Sequence, residues 1–367
     1  MQVFLDNIVF TIQRTGGVSV YWYELLSGMC RSNLPVSFLN AHPGSANIFE
    51  QKIDYQLFPC IRESSIPSKY LRYLPLRYKL PPAAVFHGGY LRISPQKDVL
   101  NILTVHDFAH ERKLASRFPR SLANTVQKAY GIKRADGIIC ISDSTRQELL
   151  HFYPATDPAR IKVIHHGIAD DFFPVDKSRM QTPVWPHPMK GPYVLYVGAR
   201  SRYKNFAIAI EVMEQLPPQY QLVITGGEPW SPQELQTLNN RLHGRYHILS
   251  AVSTVQLNLL YNYAFCLLYP SVYEGFGFPP GEAMKAGCVV VTTNRTAMPE
   301  IVGTAGLLVN EATATAFTEK IRLLENENFR QQLIQAGLQQ AARFTWQQSV
   351  QATIRFYQDC WHSKFSR

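Results

Sequence analysis

Along the chain, short apolar or β-branched runs alternate with stretches in which apolar residues recur every three or four positions. The first pattern, bounded by turn residues, fits strands buried on both faces. The second fits helices that bury one stripe. In the first half the strand runs are QVFLD, PVSFLN, AVFHGG, VLNILTVHD, GIICIS and IKVIHHG, and helical periodicity covers 18–31, 117–135 and 143–151. Ser142 stands before the last of these and can cap its first turn. From Phe172 to Pro192 the proline-studded FFPVDKSRMQTPVWPHPMKGP interrupts all periodicity and reads as a linker.

The alternation then resumes with YVLYVG, a helix near 204–216, YQLVITGG, a helix near 231–243, and YHILSA. In VSTVQLNLLYNYA, helical spacing puts Leu257, Leu260, Tyr261 and Ala264 on one face. FCLLYPS, CVVVTTN and GLLVN follow, and then three helical segments. The last, TWQQSVQATIRFYQDCW, carries Trp346, Phe356, Tyr357 and Trp361, which call for burial. Strand-helix alternation occurring twice predicts an α/β protein of two Rossmann-like, doubly wound domains, over 1–175 and 176–345. Residues 346–367 form a terminal helix expected to pack back towards the first domain. Ligands of such sheets lie beyond the carboxyl ends of the strands, so a cleft between two facing domains is the expected site.

At 367 residues the chain can bury two cores, and 46% hydrophobic with 17% charged residues is a globular balance. No apolar run reaches the roughly 18–20 residues that span a bilayer. Met1 leads straight into QVFLDNIVF, without a basic start or a small-residue cleavage site, so the expectation is a cytoplasmic protein. The six cysteines are scattered without CxxC pairs and read as reduced, mostly core residues. The net charge of +10 suits an anionic partner. Nucleic acid is disfavoured, because no recognition motif accompanies the charge.

Chemistry gathers in four places. SVYEGFGFPPGEAMKAG, at 271–287, holds Glu274 and Glu282 on either side of Gly275, Phe276, Gly277 and Phe278, with Pro279-Pro280 setting the first turn of a helix. The glycines let a ligand approach the backbone N–H groups of 275–278, and the helix start favours an anion. The plainer reading makes Glu282 a complement to the helix dipole and Glu274 a solvated loop residue. YVGARSRYKNF supplies Gly198, Arg200, Arg202 and Lys204 after a strand, an anion site or a solvated turn. TGGVSVYWYELL places Gly16-Gly17 before a helix, and TVHD ends an apolar strand with His106. Neither glycine stretch is a GxGxxG, which argues against a dinucleotide cofactor. His165 and His166 are neighbours on a strand and point to opposite faces, and no DxD pair occurs, so no catalytic metal is expected.

SVYEGFGFPPGEAMKAGCVVVTTNRTAMPEIVG resembles the donor-site signature of the retaining glycosyltransferases of family 4, which have the GT-B fold. Their Glu-x7-Glu pattern falls on Glu274 and Glu282, and the resemblance runs through most of the chain, strongest from about 190 to 350. It implies that Glu282 binds the ribose hydroxyls of a nucleotide and that Glu274 lies by the transferred sugar and the leaving phosphate. It further implies that Lys204 and Arg200, in preference to Arg202, bind phosphate. Gly16-Gly17 would lie against phosphates and acceptor, His106 would face the sugar, Gly198 would border the donor, and the base would be read near Val252. Two positions depart from the family pattern: Gly281 replaces a bulky apolar residue, and Cys288 stands where proline is frequent.

The implied reaction is metal-independent, cofactor-free, retaining transfer of a sugar to a saccharide acceptor, lipid-linked, in surface-polysaccharide or O-antigen assembly. GDP-mannose or a related GDP-sugar is the leading donor, with UDP-sugars open. Two rivals share the fold: a glycan phosphorylase, and a non-catalytic nucleotide- or glycan-binding protein. SKYLRYLPLRYK, at 68–79, interleaves Lys69, Arg72, Arg77 and Lys79 with tyrosines. It can meet an anionic membrane or cover its own core with snorkelling cations.

Overall fold

The computed structural model describes residues 1–12, 14–40, 45–115, 120–177 and 191–366. The chain divides into two compact units, Met1–Gly167 with Thr345–Arg367, and Ile168–Phe344. Of the proline-studded stretch, residues 178–190 lie outside the described residues, as do 117–119 at the start of a helix expected from the sequence.

The first unit runs β1 (Val3–Asp6), α1 (Gly17–Cys30), β2 (Val36–Leu39), β3 (Cys60–Ile61), α2 (Ser68–Leu71), β4 (Val85–Gly88), β5 (Leu100–Val105), α3 (Arg120–Arg134), β6 (Gly137–Cys140), α4 (Asp143–Phe152) and β7 (Ile161–Val163). All seven strands are parallel, in the order β3-β2-β1-β4-β5-β6-β7. β1, β4, β5 and β6 are buried along their whole length, which is why they read as unbroken apolar runs. Ser142 caps α4, its hydroxyl accepting from the N–H of Thr145 at 3.0 Å. The strand expected through His166 stops at Val163.

The second unit contains β8 (Tyr193–Val197), α5 (Phe206–Gln215), β9 (Gln221–Thr225), α6 (Pro232–Leu242), β10 (Tyr246–Leu249), α7 (Thr254–Tyr263), β11 (Cys266–Tyr269), α8 (Phe278–Lys285), β12 (Val290–Thr293), α9 (Met298–Val302), β13 (Leu307–Val309), α10 (Ala314–Leu323) and α11 (Glu327–Ala341). Its parallel sheet has the order β10-β9-β8-β11-β12-β13. Strand order reverses between β8 and β11, so the loops after those two strands flank the switch point where doubly wound sheets take ligands. These loops are 198–205 and 270–277.

α12 (Trp346–Phe365) returns to the first unit. Phe356 and Tyr357 are buried, Trp361 donates its indole N–H to the carbonyl of Ala83 at 2.7 Å, and Lys364 bonds Asp136 at 2.8 Å. A buried polar chain closes the packing: Tyr357 Oη meets His87 Nδ1 at 2.5 Å, and His87 Nε2 meets Thr104 Oγ1 at 2.9 Å. Thr104 in turn meets Tyr21 Oη at 2.9 Å. Elsewhere in this unit Arg92 is fully enclosed between Asp6 at 2.7 Å and Glu63 at 2.8 Å, with Nε on the carbonyl of Leu74 at 2.9 Å. Burial alone would pull the Arg92 guanidinium down, but the two carboxylates outweigh it and hold it above its ordinary range.

Candidate active site

In the second unit, loop 198–205 is laced to loop 270–274 by short-range bonds. Tyr203 offers its carbonyl to the N–H of Val272 at 2.9 Å and the hydroxyl of Ser271 at 3.3 Å, and Asn205 donates its side-chain amide to the carbonyl of Pro270 at 3.2 Å. The lacing brings Lys204 to Glu274. Lys204 Nζ lies 2.5 Å from Glu274 Oε1 and 3.1 Å from Tyr269 Oη, and the Tyr269 hydroxyl donates to the same carboxylate oxygen at 2.6 Å. Both partners of the ion pair are mostly buried, at 16% and 12% exposed, so solvent screens them little. Behind them the N–H of Glu274 donates to Thr296 Oγ1 at 3.0 Å, and Thr296 holds a positive φ of 48°.

Gly198, at φ +131°, follows β8 in a conformation open to few residues but glycine, and its N–H donates to the carbonyl of Thr225 at 2.9 Å. Gly277, at φ +97°, starts α8, and a β-carbon there would meet the Met298 side chain at 2.3 Å. Gly275 and Gly277 therefore allow the turn, while Phe276 goes inward, its ring on those of Phe278 and Phe344. Any donor contact by Phe276 is confined to its backbone.

One turn into α8, Glu282 accepts the hydroxyl of Tyr261 on Oε2 at 2.9 Å. The residue as a whole is half-buried, but its carboxyl end is enclosed, and that burial pushes its pKa up to about 7 against the smaller opposing pull of the Tyr261 bond. The glycine before it has a packing reason: a β-carbon on Gly281 would lie 2.5 Å from Ile168 Cδ1. Cys288 is buried, and burial raises its thiol to about 12, an inert core position.

Arg200 does not join this group. Its Nε bonds Glu234 at 3.0 Å, Nη2 reaches the carbonyls of Glu228 at 2.6 Å and Pro229 at 3.2 Å, and its plane stacks 3.8 Å from the Trp230 ring centre. Its donors are taken up by these acceptors, so Arg200 is held towards α6 and the loop before it, not towards Lys204 and Glu274. Arg202 is exposed in the turn between Gly198 and Lys204. Val252 is half-buried in the loop after β10, the edge strand of the sheet.

In the first unit, His106 follows β5 and packs edge-on against Tyr21, 5.1 Å between ring centres, with His166 5.6 Å away. Burial pulls its pKa down to about 4, with Asp107 opposing and Lys128 adding to the fall, so its imidazole is neutral near pH 7. His87 is likewise lowered, to about 3, by burial and by His106. A neutral ring donates from one nitrogen and accepts on the other, and carries no charge to a substrate. Gly16-Gly17 opens α1, the helix that brings Tyr21 to this cluster, with Gly16 as its cap. Among the described residues, no group of three His, Cys, Asp or Glu side chains could hold a metal ion.

Tyr269, Thr296 and Trp230 carry no assigned role in the sequence pattern, and Tyr261 reads there only as one residue of a helical face. Tyr269 had one visible signal, a hydroxyl at the end of an otherwise apolar strand run.

The model of the glycosyl transferases group 1 matches residues 178–360, and that of Glycosyltransferase Family 4 matches 15–172. The O-antigen chain mannosyltransferase B of Escherichia coli is 31% identical over 290 residues, 74% of each chain. This chain belongs to glycosyltransferase family 4. The family-4 enzyme has the GT-B fold: sucrose-phosphate synthase from Thermosynechococcus elongatus superposes with a TM-score of 0.78 at 20% identity, over 99% of this chain and 100% of that one. Anabaena HepE, solved in complex with UDP and glucose, gives a TM-score of 0.71 at 16% identity, over 97% and 99%. No helix among the described residues of this glycosyltransferase is long and apolar enough to cross a membrane.

Proposed function

We propose that this glycosyltransferase moves mannose, or a related sugar, from a GDP donor to a hydroxyl of a lipid-linked saccharide in surface-polysaccharide assembly, with retention at the anomeric carbon and without a metal. The observation that carries the reading is the enclosed Lys204–Glu274–Tyr269 group beside a glycine-opened helix start, at the switch point of the second sheet. The mannosyl preference rests on the likeness to the mannosyltransferase. Peripheral work on the cytoplasmic face of a membrane suits such an acceptor.

The bond from the anomeric carbon to the diphosphate oxygen breaks with its electron pair on the diphosphate. Lys204, an arginine of the same loop (Arg200 or Arg202) and the N-terminus of α8 stabilise that charge as it develops. The acceptor hydroxyl adds from the same face and passes its proton to the departing phosphate. Glu274 orients the sugar hydroxyls, and neutral His106 serves as a hydrogen-bond partner of the sugar. A glycosyl adduct on Glu274, trapped with a slow donor analogue, would overturn this same-face route. Because fixed cations take the place of a metal, EDTA is expected to leave turnover within about twofold of the untreated enzyme. A loss restored by Mg²⁺ or Mn²⁺ would reject that part of the reading.

Melting curves with GDP, UDP, CDP and dTDP test the donor class, since a ligand that binds only the folded state raises the melting temperature by mass action. GDP is expected to give the largest shift; a larger one with UDP selects the alternative donor. Glu282 adds a pH signature. Its raised pKa keeps it mostly protonated at pH 6 and ionised at pH 8, and only the carboxylate can accept two hydrogen bonds from a ribose diol. Affinity for the sugar nucleotide, whose phosphate diesters do not titrate in this range, should rise roughly tenfold from pH 6 to pH 8. Glu282→Gln should flatten the profile; a wild-type profile already flat would remove the ribose assignment.

A further inference from the structure

Glycine is a poor residue for the body of a helix, yet Gly281 stands one turn into α8, directly before Glu282, where the family pattern has a bulky apolar residue. The space such a side chain would enter is taken by Ile168, the first residue of the second unit. A β-carbon on Gly281 would lie 2.5 Å from Ile168 Cδ1 and 3.0 Å from its Cγ1. Ile168 is buried and pinned on both sides, its N–H donating to the carbonyl of Phe344 at 3.0 Å and its carbonyl accepting from Lys285 Nζ at 2.9 Å. Lys285 is itself on α8, so this one residue engages the helix on either side of Glu282, at 281 and at 285.

The segment after Ile168 reaches the other neighbour of Glu282. Phe172 packs its ring edge-on against Tyr261, 5.8 Å between centres. Asn258 and Asn262, on the same helix as Tyr261, accept from the backbone N–H groups of Phe173 and Val175 at 3.1 Å and 2.8 Å. Asn262 also donates to the carbonyl of Phe173 at 2.9 Å. Held in this way, the fully buried Tyr261 donates its hydroxyl to Glu282 Oε2. Oε1 makes no hydrogen bond to protein among the described residues and is the oxygen left for a ligand.

We propose, resting on the reading of Glu282 as the ribose ligand, that Ile168 and Tyr261 are its positioning residues: Ile168 seats the turn of α8 that carries it, and Tyr261 turns its carboxylate so that Oε1 meets the ribose hydroxyls. A carboxylate accepts from a vicinal diol over a narrow range of orientations, and neighbours locked by packing hold it there before the nucleotide arrives. Gly281 is then the opening that admits Ile168.

Calorimetry on the full-length protein compares GDP and UDP, each with its 2′,3′-dideoxy analogue, which lacks the hydroxyls in question. The wild type is expected to hold the better ribonucleotide roughly tenfold or more tighter than its analogue, the scale of hydrogen bonds to a charged group. Glu282→Gln should bring that ratio down to about threefold or less. Gly281→Ala, whose β-carbon collides with Ile168, and Tyr261→Phe, which releases Oε2, should each cut the ratio about fivefold. In both, affinity for the dideoxy analogue should stay within about twofold of the wild type, because positioning acts only through the ribose contact. Ile168→Ala alone should also lower the ratio, by emptying the space beside Gly281. Combined with Gly281→Ala it should restore the ratio to within about twofold of the wild type, since the colliding atoms are gone. Melting curves check each fold, and Tyr261→Phe, which keeps its ring, decides the matter if Ile168→Ala unfolds the unit. A wild-type ratio near one, a ratio that Glu282→Gln leaves unchanged, or no binding of either ribonucleotide removes the ribose reading and the positioning role together. A ratio lowered by Glu282→Gln but untouched by Gly281→Ala and Tyr261→Phe overturns the positioning role alone. So does an equal loss of affinity for ribonucleotide and analogue in those variants, or a folded double variant no better than Gly281→Ala.

Discussion

Lys204→Ala is expected to lower turnover by about a hundredfold or more, the scale of losing one preorganised charge at a leaving group. Lys204 is already held in place before any ligand arrives, by Glu274 at 2.5 Å and by Tyr269 at 3.1 Å, so its charge needs little rearrangement when a diphosphate departs. Glu274→Ala should cost a similar factor. If both residues act on one bound donor through their shared contact, the double variant will lose much less than the product of the single losses. Tyr269→Phe should fall between wild type and the single alanine variants, because it removes one hydrogen bond and no charge. These rates are read with melting curves alongside, to separate chemistry from folding. Near-wild-type turnover by either alanine variant would move the leaving-group site elsewhere.

The second large effect concerns stability. Arg92→Met should destabilise the first unit by about 3–5 kcal/mol, because Asp6 and Glu63 would remain enclosed without their cation. For a unit of this size that corresponds to a drop of roughly 10 °C in melting temperature. Adding Asp6→Asn and Glu63→Gln to Arg92→Met should recover part of the loss, since the buried charges then disappear together. A single variant melting with the wild type would show that these carboxylates find water or another partner, and the account of the triad would fail.

Much of this architecture is legible in the sequence because parallel strands buried on both faces leave unbroken apolar runs, as at VLNILTVHD and YVLYVG. Short elements leave less trace. α9 has five residues and β3 has two, and neither is long enough to show a period. The loops at the switch point also declare themselves, since Gly198, Lys204, Glu274 and Glu282 fall beside strands in order. The pairing of side chains does not. Nothing around Arg200 in the sequence shows that Glu228, Pro229, Trp230 and Glu234, about thirty residues onward, take up its donors. Tyr261 reads as one more apolar-face residue, yet its hydroxyl is bound to Glu282. The stripe of Leu122, Val126 and Tyr130 on α3 misleads in the opposite sense: these residues are exposed, because spacing identifies a face and says nothing of whether it meets protein or solvent.

The return of α12 to the first unit has a consequence for how the protein is made. The ribosome delivers residues 1–167 well before the helix that covers α1 and bonds His87 through Tyr357, because the whole of Ile168–Phe344 lies between them. The second unit is continuous in sequence and can complete itself while the first still waits with part of its core uncovered. The first unit therefore finishes after the second, and a nascent chain cut short before Thr345 would leave it without its closing helix.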